Sequence, residues 1–283
     1  MINTRLILVN TLYIYQPTFT PSKNKKMELK NNTILITGGT SGFGLEFAKR
    51  LLESGNTVIV TGRDPVKLAY AKMNLSGLHT FQSDVSKPEE IADLYKKVIA
   101  QFPQLNILIN NAGQMRKIIL HDTSIGLTDI TREIETNLMG PIRMVQAFLP
   151  HLKQTKSAAI LNVTSGLALV PFPISPIYGA TKSGLRSYTK SLRVQLKNTK
   201  IKVFELIAPA TKTPLNDAFR NLDGYNVKQM DPVELVDTAL KGVKKDQYEI
   251  YPGIARMLFF MSRIAPGFML KMLSKAGAKE MAG

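Results

Sequence analysis

The chain has no cysteine, which excludes a disulfide framework, a thiolate nucleophile and a zinc site built on sulfur. Histidine is nearly as scarce: His79, His121 and His151 stand far apart without ligand spacing, so no structural or catalytic metal is expected. Acids are few, 21 Asp and Glu against 37 Lys and Arg, for a net charge of +16. A surplus of that size can mark a nucleic-acid binder, but its location argues otherwise. Residues 1–26 hold Arg5, Lys23, Lys25 and Lys26 with no acid, and residues 252–283 hold Arg256, Arg263, Lys271, Lys275 and Lys279 against Glu280. Half of the surplus therefore lies in two tails. The remainder carries no basic–aromatic motif of the nucleic-acid type, so no nucleic-acid partner is expected, and the charge suits solubility and an anionic, phosphate-bearing ligand. Long hydrophobic runs are missing too. The stretch from Leu6 to Tyr15 is broken by Asn10 and Thr11, is too short to span a bilayer and lacks a small-residue cleavage site after it.

What is present reads as a soluble globular chain, with 44% hydrophobic and 20% charged residues. A length of 283 residues suits one α/β domain with a sizeable core. Residues 1–26 read as an extension outside the fold. Pro17 to Lys26 is linker-like and Met27 stands shortly before the first strand, so an upstream start codon is the favoured reading and a membrane tether the alternative. From Thr33 onward, short apolar runs alternate with helical patterns, the signature of βαβ units. The expected strands are Thr33–Thr37, Thr57–Thr61, Leu78–Gln82, Asn106–Ile109, Ala158–Val163, Ile201–Ala208 and Tyr248–Tyr251. The clearest helix runs from Pro88 to Phe102, with Ile91, Leu94, Val98, Ile99 and Phe102 on one face and Asp84 to Ser86 as its polar start. The expected fold is α/β: a Rossmann-type, doubly wound, seven-stranded, mostly parallel sheet in a single domain, residues 27–251, with a C-terminal helical extension, residues 252–283.

Thr37-Gly38-x-x-x-Gly42-x-Gly44, with Thr40, Ser41 and Phe43 between, follows the first strand and opens a helix. Glycines there let the backbone approach a pyrophosphate, whose charge meets the helix N-terminus. At the end of the second strand stand Thr61, Gly62, Arg63 and Asp64. A site for NAD needs a carboxylate at the tip, whereas a 2′-phosphate wants an arginine; Arg63 favours NADP over NAD, although Asp64 could be the acid. Tyr178 and Lys182 stand at i and i+4, one turn apart on a helix face. The ammonium can stabilise a phenolate there, bringing a tyrosine from about 10 toward neutrality and making it a usable acid/base.

Taken together these motifs resemble the classical short-chain dehydrogenase/reductase family, over residues 27–251 and in the family's order. The resemblance implies hydride transfer between a nicotinamide and a carbonyl carbon. Asp84-Val85 matches the family's adenine contact, and Asn110-Asn111-Ala112-Gly113 its N-N-A-G motif at the cofactor ribose. Asn137 matches the asparagine that helps hold a water in the proton relay. Ser165, thirteen residues before Tyr178, is the serine that polarises the substrate oxygen, with Thr164 as the competing assignment. Tyr178 is then the acid/base, and Lys182 tunes it and binds the nicotinamide ribose. Pro209-Ala210-Thr211-Lys212-Thr213 stands where the family has Pro-Gly and a following Thr; Ala210 departs from that glycine, while Pro209, Thr211 and Thr213 are the expected contacts.

The apolar run from Gly166 to Pro176 suggests a pocket for an apolar carbonyl or alcohol, with Pro214 to Met230 as a mobile second wall. A stripe of Leu185, Tyr188, Leu192 and Leu196 packs on the sheet or, on the resemblance, contributes to a homodimer or homotetramer. Ile254 to Leu273 suits a helix closing over the pocket or a neighbouring subunit, or an amphipathic helix on a membrane surface; Pro266-Gly267 breaks it and argues against a span. The expected localisation is cytoplasmic, with peripheral membrane association as the variation. The reading from another class is a catalytically idle NADP-binding protein that senses redox state or tethers a partner.

Overall fold

Seven strands form in the computed structural model, which describes residues 26–219, 221–224 and 227–282; the expectations for residues 1–25 lie outside them. The strands are β1 (Thr33–Thr37), β2 (Thr57–Gly62), β3 (Leu78–Gln82), β4 (Leu105–Asn110), β5 (Ala158–Ser165), β6 (Ile201–Ala208) and β7 (Glu249–Ile250). They pair in the order β3-β2-β1-β4-β5-β6-β7, parallel at every step. A parallel sheet is covered on both faces, so its central strands read as continuous apolar runs. Every residue of β1, β5 and β6 is buried, whereas His79 and Gln82 of the edge strand β3 face outward.

The covering helices are α1 (Gly42–Glu53), α2 (Pro65–Asn74), α3 (Pro88–Gln101), α4 (Gly140–Leu152), α5 (Pro176–Gln195) and α6 (Pro232–Lys244), followed by α7 (Ala255–Ile264) and α8 (Pro266–Leu273). Helices α2, α3, α5, α6 and α8 each open on a proline, which fits because the first turn's N–H has no intrahelical partner. On one face of the sheet, Phe47 and Leu51 of α1 and Leu235 and Val236 of α6 pack on Ile34, Val60, Ile109 and Phe204. On the other, Leu94 of α3, Phe148 of α4 and Leu192 of α5 pack on Leu35, Ile59, Leu108 and Val203. Strand order reverses between β1 and β4, so the turns after them diverge and leave a crevice at the carboxyl edge.

Local departures from the expected pattern have physical reasons. Strand β5 runs two residues past Val163 because β6 pairs with it to the end, Ser165 opposite Ala208. Strand β7 shrinks to two residues at the free edge. Asp84 does not cap α3; its carboxylate instead accepts from Ser86 N and Oγ, and Glu90 reaches back to accept from Asp84 N at 2.7 Å. Leu185, Leu192 and Leu196 are all buried in the protomer and Tyr188 packs beside them, so that stripe belongs to the core.

Candidate active site

The turn after β1 is shaped by what its glycines cannot carry. Gly38 has φ +66°, and a Cβ there would lie 2.8 Å from Ala112 Cα. One on Gly44 would run into the Gly38 carbonyl oxygen and the Asn111 amide. These contacts press the glycine turn against the turn after β4, and hydrogen bonds lock the two. Thr37 Oγ1 accepts from Asn111 N (3.0 Å) and Ala112 N (3.1 Å), while Asn111 Nδ2 donates to the carbonyls of Thr37 and Gly38. Thr37 is buried by this role and does not line the groove.

The groove above the switch point is lined by Gly38, Thr40, Ser41, Gly42, Phe43 and Gly44, by Arg63, Asp84 and Val85, and by Asn111, Ala112 and Gly113. Thr213 closes its far side with Pro214 and Leu215; Pro209 and Thr211 do not line it. Thr211 is fully buried, its hydroxyl on the Pro209 carbonyl at 2.8 Å, and it bridges to Met230. The Thr61 and Ser83 hydroxyls and Asn111 Oδ1, on residues that line this groove, are buried without a hydrogen-bond partner. Buried polar atoms are rarely left so, and all three belong to residues around the groove that the glycine turn opens. The residues fit a dinucleotide.

Around the β2 tip the groove carries two cations, Arg63 and Lys67, and two carboxylates, Asp64 and Asp84. Arg63 is largely exposed, 3.9 Å from Asp84, and Lys67, one turn further on, also lines the groove. Asp64 caps α2, accepting from Val66 N (2.9 Å) and Lys67 N (3.2 Å). That second cation was missed from sequence, although Lys67 at i+4 from Arg63 was the available signal. Thr136 was missed too; it lines the groove beside Asn137 and receives Gln114 Nε2 at 3.1 Å.

Asn137 occupies a π-helical turn, Glu135–Met139, ahead of α4, not the middle of a regular helix. Such turns widen a helix and recur at functional sites. Its side chain is fully buried: Oδ1 accepts from Gln114 N at 2.9 Å, and Nδ2 donates to Gln114 O (2.8 Å) and Thr181 Oγ1 (3.2 Å). Thr181 lies on α5 between Tyr178 and Lys182, so Asn137 ties the turn after β4 to that helix. Lys182 Nζ donates to Val163 O at 3.0 Å and stands 5.7 Å from the Tyr178 ring centre. A Cβ on Gly113 would lie 3.4 Å from Asn137 Oδ1 and 3.6 Å from Lys182 Nζ. The groove thus ends where the tyrosine–lysine pair begins. Burial pushes the Lys182 ammonium down from 10.5 to about 8, since a charge is costly to remove from water. Ser165 ends β5 and its Oγ accepts from Leu167 N at 3.1 Å; Thr164 instead turns away and donates to Glu205 at 2.7 Å.

That glutamate anchors a buried network under the site. Arg186, one turn past Lys182 on α5, places one guanidinium nitrogen 2.9 Å from both Glu205 oxygens and the other on Glu249 (3.1 Å) and Tyr251 (2.9 Å). It pins α5 to β6 and β7.

The apolar segment after Ser165 has two sides. Val170, Phe172 and Ile174 are buried and join Phe219, Leu222, Met269 and Leu273 in a separate cluster, while Leu167 to Pro173 also line an apolar hollow with Gly179, Ala180 and Ser183. Leu258 and Met261 of α7 pack on the same cluster, and a Cβ on Gly166 would lie 2.9 Å from Leu258 Cδ1. The inner face of the C-terminal extension therefore closes over the Ser165 side of the site.

Known proteins resemble the chain in sequence and in fold. The model of the short chain dehydrogenase family matches residues 32–223. An uncharacterized oxidoreductase of Bacillus subtilis, DltE, is 42% identical over 224 residues, spanning 79% of this chain and 89% of its own. A short chain dehydrogenase of Burkholderia cenocepacia in complex with NADP superposes with a TM-score of 0.75 at 24% identity, over 87% of this chain and 99% of that one. The 3-ketoacyl-(acyl-carrier-protein) reductase of Brucella melitensis, complexed with NADH, gives 0.71 at 27% identity, over 78% and 94%. The chain belongs to the short-chain dehydrogenase family.

Proposed function

We propose that this oxidoreductase moves hydride reversibly between NADP and an apolar carbonyl or alcohol. The observation that carries the reading is the convergence of Lys182 Nζ, Asn137 and Gly113 at the inner end of the groove, beside the Tyr178 ring. A bound nicotinamide cofactor supplies the hydride in reduction. Gly38 and Gly42 to Gly44 would hold its phosphates at the start of α1, and Asp84, Val85, Ala112 and Gly113 would hold its adenine and ribose portions. Thr213, on the opposite wall of the groove, would complete the site. Pro209 and Thr211 support Thr213 from behind.

Ser165 Oγ already accepts one hydrogen bond, which leaves its O–H to donate to the substrate oxygen and stabilise charge developing there. Tyr178 gives the proton that completes the alcohol and takes it back in oxidation. With its ammonium held near 8, Lys182 is mostly cationic at neutral pH and stabilises the phenolate left behind. Asn137 acts by fixing Gln114 and Thr181, which keeps the proton path between β4 and α5 in place.

NADP is favoured because the β2 tip offers Arg63 and Lys67 to a 2′-phosphate, while Asp64 is spent on a helix cap and Asp84, 3.9 Å from Arg63, stands after β3 and not at the β2 tip. A homodimer or homotetramer belongs to the same reading. Gly179, Ala180 and Ser183 on the outer side of α5 leave a hollow of about 380 Å³ beside Leu167 to Pro173, which a second copy would fill.

The test is NADPH oxidation at 340 nm across apolar aldehydes, ketones and quinones, with NADH and Tyr178→Phe alongside. Turnover that disappears in the variant is the expected result. NADPH binding with no turnover of any carbonyl would favour the idle, redox-sensing alternative.

A further inference from the structure

Seven of the fourteen large apolar side chains that stay exposed among the described residues fall between 254 and 272. Helices cover their apolar stripe when a core is available, and α7 and α8 have done so once already: Ala255, Met269 and Leu273 are buried on their inner side. The outer side is a second stripe. Met257, Phe260 and Ile264 recur at helical spacing along α7, and Phe268 and Met272 continue it along α8, with exposures of 43% to 75%. Ile264 and Phe268, the most exposed of the five, flank the Ala265–Pro266 break.

Charge decides what covers this face. Arg256, Arg263, Lys271 and Lys275 are all exposed along it, and residues 254–273 contain no Asp or Glu. The Arg263 guanidinium lies 3.6 Å from the Phe259 ring centre and donates to the Phe259 carbonyl at 3.1 Å, which holds an exposed cation against the aromatic surface of α7. A scaffold protein of ordinary composition offers carboxylates on only part of its surface; an anionic bilayer offers a continuous acidic plane above an apolar interior. Phe, Ile and Met side chains ringed by cations suit shallow insertion at the headgroup level. The two helices are ten and eight residues long, and among the described residues no helix is long and apolar enough to cross a membrane.

We propose that the outer face of α7 and α8 docks on an anionic lipid surface. The full chain is tested by co-sedimentation with vesicles of phosphatidylcholine alone or with one third phosphatidylglycerol, at low and high salt. Binding should require the anionic lipid and weaken with salt. Arg256→Gln and Lys271→Gln should each lower partitioning about fivefold, and Phe260→Ser with Phe268→Ser about tenfold or more. These side chains point outward, so circular dichroism and thermal melting should match wild type. Absence of binding to the anionic vesicles overturns the proposal, as does equal binding by wild type and the Phe variants. A fall in mass by light scattering in the Phe variants, without vesicle binding by wild type, would assign the face to a second copy of the chain and also overturn it.

Discussion

Replacing Lys182 with methionine should make the protein more stable at neutral pH while removing its activity. Lysine in the unfolded chain titrates at 10.5 and in the fold at about 8. Each tenfold change is about 1.36 kcal/mol, so holding the ammonium charged inside costs the fold about 3 kcal/mol. Methionine fills similar volume without that charge but removes the hydrogen bond to the Val163 carbonyl, a loss of about 1 kcal/mol. The net gain is about 2 kcal/mol at pH 7. The pH dependence fixes its origin. Because the folded value is depressed, the unfolded state binds more protons between about 8 and 10.5, and wild-type stability rises relative to the variant across that window. Above it the neutral amine keeps its hydrogen bond, and the variant becomes the weaker protein by about 1 kcal/mol. Urea denaturation without cofactor, followed by circular dichroism at pH 7, 8.5 and above 10, reads the difference. A variant less stable than wild type at pH 7, or a difference that does not change with pH, would show that the buried ammonium does not cost the fold stability.

Other expectations follow from single contacts. Arg63→Ala should raise KM for NADPH about ten- to a hundredfold and leave NADH unchanged, since a charged hydrogen bond is worth about 1.5–3 kcal/mol; steady-state kinetics with both cofactors check it. Gly44→Ala drives a methyl into the Gly38 carbonyl and the Asn111 amide, so NADPH fluorescence titration should show binding lost and melting should show a cost of about 1–3 kcal/mol. Glu205→Ala leaves the Arg186 guanidinium buried without its main partner, and denaturation should register a loss of about 3–5 kcal/mol.

The sheet was legible because each central strand is buried on both faces and so reads as an unbroken apolar run; Thr33–Thr37 and Ile201–Ala208 emerge with the bounds their composition suggests. The glycine turn was legible because its backbone must do what other residues cannot. Less visible was anything set by a partner far along the chain. The π-turn at Asn137 depends on Gln114, 23 residues away, and Thr211 turns inward because Pro209 and Met230 hold it. The inward turn of Val170, Phe172 and Ile174 needs Met269 and Leu273, about a hundred residues later, and local pattern carries no record of that pairing. Lys67 was a different case: its spacing from Arg63 was in plain view, but the groove that gives it meaning appears only once α2 is placed.

The most direct test follows the hydride itself. The protein would be given NADPH carrying deuterium at nicotinamide C4, on each face in turn, with an apolar aldehyde or ketone that it turns over, and the alcohol analysed by mass spectrometry. One deuterium should appear on the carbinol carbon from one labelled face only, with no product from Tyr178→Phe. Alcohol formed without label from either face, or formed equally well by Tyr178→Phe, would contradict hydride transfer with Tyr178 as the proton donor.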